Sequence, residues 1–265
     1  MNDVLDAVLA DLTAEGDRLE SWVTDLSEDG WARATPAPGW DIKHQVAHLA
    51  WTDESALAAA TDKHAWDTMV LMAMADPTGF VDTTAAEGAR AAGADLLARW
   101  RSSRTALVRA LREYPAGQKM PWYGPPMSPT SMATARFMET WAHSLDVADA
   151  LGITPERTDG IRNIAHLGVR TRDFAYSVHS LAAPASEFRV SLVAPSGALW
   201  EWGPAGAEQT VSGSAYDFCL LVTQRRNRAD LDLVAVGPDA DAWLDIAQAF
   251  AGPPGSGRAP VETAP

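Results

Sequence analysis

Two short segments, far apart in the chain, constrain its fold most: Asp41-Ile42-Lys43-His44-Gln45-Val46-Ala47-His48-Leu49-Ala50 and Met138-Glu139-Thr140-Trp141-Ala142-His143. Both lie in stretches that read as helix. Side chains four residues apart on a helix share one face, so Glu139 and His143 point the same way, as do His44 and His48. His48 is set among the apolar residues Val46, Ala47, Leu49 and Ala50. Polar groups drawn into a core need partners. Two imidazoles and a carboxylate converging inside a bundle can satisfy one another by holding a divalent ion, with a position left for water or substrate.

The remainder of the N-terminal half supplies the helices such a site requires. Val4, Leu5, Val8, Leu9, Leu12, Leu19, Trp22 and Val23 recur at spacings of three and four, which predicts a first helix that stops near Glu28-Asp29-Gly30. The stretch Thr35-Pro36-Ala37-Pro38-Gly39 disfavours helix, and Asp41 is then an N-cap for a helix over 42–60. A short helix is predicted over 66–75. Residues 84–114 read as one long helix, weakened in its first turns by Gly88 and Gly93. Residues 115–129 hold five prolines and two glycines and cannot be regular helix. With Trp122, Tyr123 and Met127 they are expected to shape a pocket mouth. Ser128 or Thr130 caps the next helix, which runs to Leu151 and ends at Gly152. Four long helices make a four-helix bundle, an architecture that builds metal sites from facing helices.

A fifth helical segment is predicted over 159–181. Alternating patterns then predict strands over Phe188–Val193, 198–202, 209–212 and 231–236, with helices over 214–226 and 239–250. The expected fold is mainly α with an α+β C-terminal part. The bundle occupies residues 1–155, a connecting helix and small α+β domain residues 156–251, and a disordered tail residues 252–265.

Among 265 residues, 47% are hydrophobic and 21% charged, a mix that supports a packed core. The net charge of −14 argues against a nucleic-acid partner and against anionic membrane. No apolar run reaches the roughly 18–20 residues that span a bilayer. The acidic start lacks the basic region of a signal peptide. Cys219 is the single cysteine, which excludes an internal disulfide and a thiolate zinc site and fits a reducing cytoplasm. Of eleven tryptophans, Trp40, Trp51 and Trp141 flank the proposed site. Their area suits core packing, or alternatively an aromatic pocket wall. His64, His166 and His179 read as structural or surface residues.

An isolated Glu–His pair one turn apart is also an ordinary helix-stabilising contact, and His48 alone reads as a core histidine. Convergence of all three favours a metal. Imidazole and carboxylate without thiolate suit zinc, nickel, iron or manganese. Zinc comes first, because two histidines and a glutamate with an open position form a catalytic zinc set. His44 is a fourth ligand, a group behind the ligands, or a solvent-facing residue, with the last two favoured.

At these residues the chain resembles a family. Residues 35–50 are similar to the "T-P-x-P-G-W … A-H-L" signature of the mycothiol-dependent maleylpyruvate isomerase group, within the DinB-like metal-binding superfamily. Glu139-Thr140-Trp141-Ala142-His143-Ser144-Leu145-Asp146 resembles its second signature, "E-x-x-x-H-x-x-D". The resemblance covers residues 1–155. It implies a DinB-like four-helix bundle with a divalent metal, usually zinc, on His48, Glu139 and His143. It also implies a small C-terminal α+β domain like sterol-carrier proteins. Residues 220–226 resemble the family's stretch ending in "L-T-G-R", which nominates Arg225 as an anchor for a substrate carboxylate. Gln224 stands in the glycine's place and Arg226 follows directly. The same arginines also read as a basic helix end favoured by the helix dipole.

The resemblance further implies mycothiol, a low-molecular-weight thiol, as cosubstrate beside a small electrophilic substrate. An isomerase adds the thiol to a cis-alkene, lets the bond rotate and releases the thiol. A transferase leaves the thiol attached. A hydrolase or lyase using a metal-bound water on a small biosynthetic intermediate is an alternative, with His44 the nearby base in sequence. A non-catalytic metal- or small-molecule-binding protein is another. A monomer or homodimer is expected.

Overall fold

The structure, a computed structural model, describes residues 3–253, 255 and 257–261. It divides into two compact units, Met1–Pro155 and Glu156–Pro265. Helix dominates, with one four-stranded sheet in the second unit. No helix among the described residues is long and apolar enough to cross a membrane.

The first unit runs α1 (Asp3–Val23), α2 (Glu28–Trp31), α3 (Ile42–Thr61), α4 (Lys63–Ala75), α5 (Phe80–Gly88), α6 (Gly93–Glu113) and α7 (Pro129–Leu151). The four long helices close a ring in which α1 packs on α7, α7 on α3, α3 on α6 and α6 on α1. Leu19, Val23, Val46, Leu49, Ala50, Leu96, Trp100 and Val147 fill its centre. Each fully buried Leu or Val contributes about 1.5–3 kcal/mol. A second polar layer lies in this core. Arg136 of α7 donates from Nε to Asp53 of α3 at 2.9 Å, and the Trp100 indole of α6 donates to the same carboxylate at 3.2 Å.

The helix ends follow from local chemistry. Asp41 accepts from the His44 backbone N–H at the start of α3. Ser128 accepts from the Ser131 N–H and Pro129 opens α7, which Gly152 ends at φ +69°. Two expectations are corrected. Residues 28–31 form a helical turn rather than a stop, and the helix expected over 84–114 is two helices, α5 and α6, broken at residues 89–92. Ser27 caps the turn at 28–31 by accepting from the Gly30 N–H, and that turn also accounts for the second correction. Glu28 of α2 accepts the Gly93 N–H at 2.9 Å and so caps α6 from outside its own segment. The Trp31 indole lies against Gly93, where a Cβ would meet Nε1 at 2.3 Å.

The second unit holds a 3-10 turn (Asp159–Ile161), α8 (Arg162–Arg170), α9 (Arg172–Val178), β1 (Phe188–Val193), β2 (Leu199–Trp202), β3 (Gln209–Ser214), α10 (Ala215–Val222), a second 3-10 turn (Arg228–Asp230), β4 (Leu233–Val236) and α11 (Pro238–Ile246). The single helix expected over 159–181 is thus a turn and two helices. It breaks at Thr171, whose hydroxyl donates to the Gln248 carbonyl at 2.7 Å as well as to its own helix. The sheet order is β2-β1-β3-β4. β1 runs antiparallel to β2 and parallel to β3, with Val190 level with Val211, and β4 is antiparallel to β3. Phe188, Val190, Leu192 and Val211 turn inward towards Phe218 of α10 and Trp243 of α11. Cys219 is buried here, and burial pushes its thiol pKa far up.

The helix expected over 214–226 stops at Val222 in a Schellman turn. The Arg225 N–H donates to the Leu220 carbonyl and the Gln224 N–H to that of Leu221. Gln224 occupies the left-handed position of this turn at φ +55°, the place most often taken by glycine. In the expected disordered tail, residues 254, 256 and 262–265 lie outside the described residues. Elsewhere in it, the Arg258 carbonyl accepts from Asn227 and the Val261 N–H donates to Asp230.

Two substitutions test these local causes. Gly93→Ala should lower stability by about 1–3 kcal/mol. Overpacking against Trp31 outweighs the roughly 1 kcal/mol that alanine gains in helix propensity; an unchanged or raised melting temperature would refute the packing account. Gln224→Gly should raise the urea midpoint, because a non-glycine residue in the left-handed region costs about 1–2 kcal/mol. The gain is trimmed by the greater freedom of glycine in the unfolded chain.

Candidate metal centre

The helix pair α3 and α7 presents His48 from one side and Glu139 with His143 from the other. One ligand atom from each of the three lies within 4.8 Å of the others, the one such cluster found among the described residues. His48 Nε2 is 3.6 Å and His143 Nε2 3.3 Å from the same oxygen, Glu139 Oε2. Both imidazoles are buried, while a quarter of the Glu139 side chain stays exposed. Burial pushes the Glu139 carboxyl up, but the His143 and His48 rings beside it hold it well below the usual carboxylate range. Glu139 is therefore an anion facing two imidazole nitrogens.

Aromatic rings wall the cluster. The Trp40 ring stacks on His143 at 6.0 Å between centroids and lies 5.4 Å from His48. Its indole N–H is pinned to Asp82 of α5 at 2.9 Å. Trp51 packs against His48 at 5.8 Å. Beyond it, Phe80 and Tyr123 pack on Trp51, so the proline-rich segment reaches the second ring from the ligands. Trp141 is buried in the bundle.

Behind His143 stands a residue the sequence pattern did not single out. The fully buried Gln45 amide hydrogen-bonds His143 Nδ1 through Oε1. Its Nε2 donates to Thr35 Oγ1 at 2.9 Å, and the Thr35 hydroxyl donates to the Trp40 carbonyl at 2.8 Å. One signal was available: Gln45 is one turn before His48, hence on the same face, and an amide in an apolar run must find partners. His48 Nδ1 has no such support and is buried without a hydrogen-bond partner among the described residues.

The three ligand candidates come together. His44 does not join them: it sits at the third position of α3, where its Nδ1 lies 2.6 Å from Asp41 Oδ1, with its ring against Trp40. Arg225 belongs to the second unit, where its guanidinium donates to the Thr223 carbonyl at 2.7 Å. In the Schellman turn Gln224 holds the left-handed position, and Arg225 follows it. The donor set suits a divalent ion. Two nitrogens and a carboxylate oxygen converge with aromatic cover on one side, and two imidazoles face a single anionic oxygen.

The chain is similar to known proteins over both units. A family model described as "Mycothiol maleylpyruvate isomerase N-terminal domain" matches residues 12–148, and one described as "Wyosine base formation" matches residues 184–236. An uncharacterized protein of Mycobacterium tuberculosis is 56% identical over 250 residues, covering 94% of this chain and 97% of its own length; its counterpart in a second strain gives the same figures. A crystal structure of the mycothiol-dependent maleylpyruvate isomerase shares the fold at TM-score 0.58 and 16% identity, over 87% of this chain and 92% of that one. A histidine mutant of that isomerase gives 0.55 at 16% identity, over 83% and 89%. The match over residues 12–148 spans the whole ligand cluster, and the chain belongs to the mycothiol maleylpyruvate isomerase N-terminal domain family.

Proposed function

We propose that this chain is a metal-dependent enzyme that activates a low-molecular-weight thiol of the mycothiol type. It uses that thiol for cis–trans isomerisation of, or S-transfer to, a small electrophilic substrate. The observation that carries the reading is the convergence of His48, Glu139 and His143 from two facing helices, with both Nε2 atoms on one carboxylate oxygen. Family membership supports it, as does the fold shared with a mycothiol-dependent isomerase.

His48, Glu139 and His143 would hold the ion, with zinc the first candidate and nickel, iron or manganese behind it. When bound, such an ion supplies the Lewis acidity that deprotonates a thiol at neutral pH. The chain contributes the rest. Glu139 stays ionised and offsets the positive charge. Trp40 and Trp51 shield the imidazoles on one side from water. The protein has no nucleophilic thiol of its own to offer, since Cys219 is buried with its pKa far raised. The reacting thiol must come from outside, which suits a cosubstrate in a reducing cytoplasm. Arg225 is the candidate to hold a substrate carboxylate by a bidentate pair. Hydrolysis has less support, because the base it would draw on, His44, is engaged with Asp41 in the helix cap.

Mass spectrometry on protein purified without added metal should find about one equivalent of a divalent ion in the wild type, as a catalytic three-ligand site requires. His143→Ala should abolish it. Metal that survives the mutation would end this reading. Turnover of cis-enoic acids or electrophiles by the loaded protein should require added thiol; thiol-independent turnover would favour hydrolysis. Arg225→Ala should raise KM for a dicarboxylate with little change in kcat, and an unchanged KM would remove Arg225 from the site.

A further inference from the structure

We infer that Gln45 is a positioning residue for the metal centre: its amide, oriented by Thr35 and the Trp40 carbonyl, locks His143 into the tautomer whose Nε2 lone pair faces Glu139 and His48. This rests on the metal reading above and adds to it the device that aims one ligand.

The directions of the hydrogen bonds follow from the far end of the chain of contacts. The Trp40 carbonyl can only accept, so the one hydroxyl proton of Thr35 is committed to it. Thr35 Oγ1 is then left as an acceptor, and the group facing it, at 2.9 Å, must be the NH2 of Gln45. That fixes the amide: its oxygen faces His143 Nδ1. An amide oxygen can only accept, so Nδ1 carries the proton and Nε2 is left with its lone pair. Nε2 lies 3.3 Å from Glu139 Oε2. Two acceptors at that separation repel unless a cation lies between them. A second proton would serve, and so would a metal ion. The relay thus sets up a demand for positive charge at the point where the three candidate ligand atoms converge.

Every member of the relay is held. Gln45 is fully buried on the first turns of α3. Thr35 and Trp40 close a tight loop through a backbone hydrogen bond of 2.9 Å from the Thr35 N–H to the Trp40 carbonyl, and Gly39 supplies the φ of +79° that the loop needs. The Trp40 side chain of the same loop covers His143. One loop therefore orients the ring through its backbone and shields it through its indole. Among the described residues His48 Nδ1 has no counterpart to this relay, so the two histidines are not equivalent.

The test uses the full-length, metal-free protein titrated with Zn2+ by calorimetry, together with 15N–1H spectra of the imidazoles, which distinguish an Nδ1–H ring from an Nε2–H ring. Gln45→Met keeps the size and removes the acceptor; it should weaken zinc binding about 10–100-fold, as losing an outer hydrogen bond to a ligating histidine does. Gln45→Glu keeps an acceptor towards Nδ1 and should bind zinc within a few-fold of wild type. Thr35→Val, which frees the amide to rotate, should fall between them. The wild-type His143 ring should carry its proton on Nδ1, and Gln45→Met should lose that preference. Wild-type zinc affinity in Gln45→Met with an unchanged tautomer would overturn the inference. If the wild type itself takes up no zinc, the metal reading fails. The spectra still decide for Gln45: an Nε2–H ring in the wild type refutes its role and an Nδ1–H ring lost in Gln45→Met upholds it.

Discussion

The first unit is organised around an anion held between two imidazoles. Glu139 stays ionised against the pull of burial because His143 and His48 both reach it. That arrangement is possible only if α3 and α7 pack face to face at one register. A second buried layer enforces the same register. Asp53 lies five residues after His48 on α3, and Arg136 three residues before Glu139 on α7, so the two helices run antiparallel with polar layers stacked along their seam. Sliding one helix past the other would strand both layers, and breaking one buried ion pair costs about 3–5 kcal/mol. The apolar ring of α1, α3, α6 and α7 supplies the stability; the polar seam chooses which packing of that ring is adopted.

How much of this was legible in the sequence depended on how local each cause was. Asp41, Ser128 and Gly152 act within their own turn, and the helices they bound follow. His48, Glu139 and His143 were legible because helical spacing alone aligns two of them and the third sits in an apolar run. The break between α5 and α6 was hidden, because its causes are Glu28 and Trp31, some sixty residues earlier in sequence. Thr171 ends α8 for a similar reason, through a carbonyl at Gln248. Gln45 escaped notice because a lone glutamine has no motif; its role exists only once α7 and the loop at Thr35 are in place around it.

The two weaker site residues part ways on the same principle. His44 shares a face with His48 by spacing, yet the cap at Asp41 claims its ring first, since a partner three residues away forms with the helix itself. Arg225 follows the left-handed residue of a backbone turn in the second unit. Family and fold narrow the chemistry without choosing it, because one scaffold hosts several reactions.

The division of ligands between helices has a further consequence. Glu139 and His143 ride on one rigid rod, where four residues advance about 6 Å along the axis. Their mutual spacing is fixed by the helix pitch. The remaining degree of freedom is the gap between α3 and α7, and close-packed side chains on either side of the seam resist its change. As the proposed metal centre, it would work as a caliper with one stiff jaw. An ion that wants bonds of about 2.0–2.1 Å, as zinc does to nitrogen, closes the gap to a different width from one that wants about 2.3–2.6 Å, as calcium does. Discrimination between ions at such a centre would then be written in the thickness of the core, and a methyl group added or removed between the two helices would retune it without touching a proposed ligand.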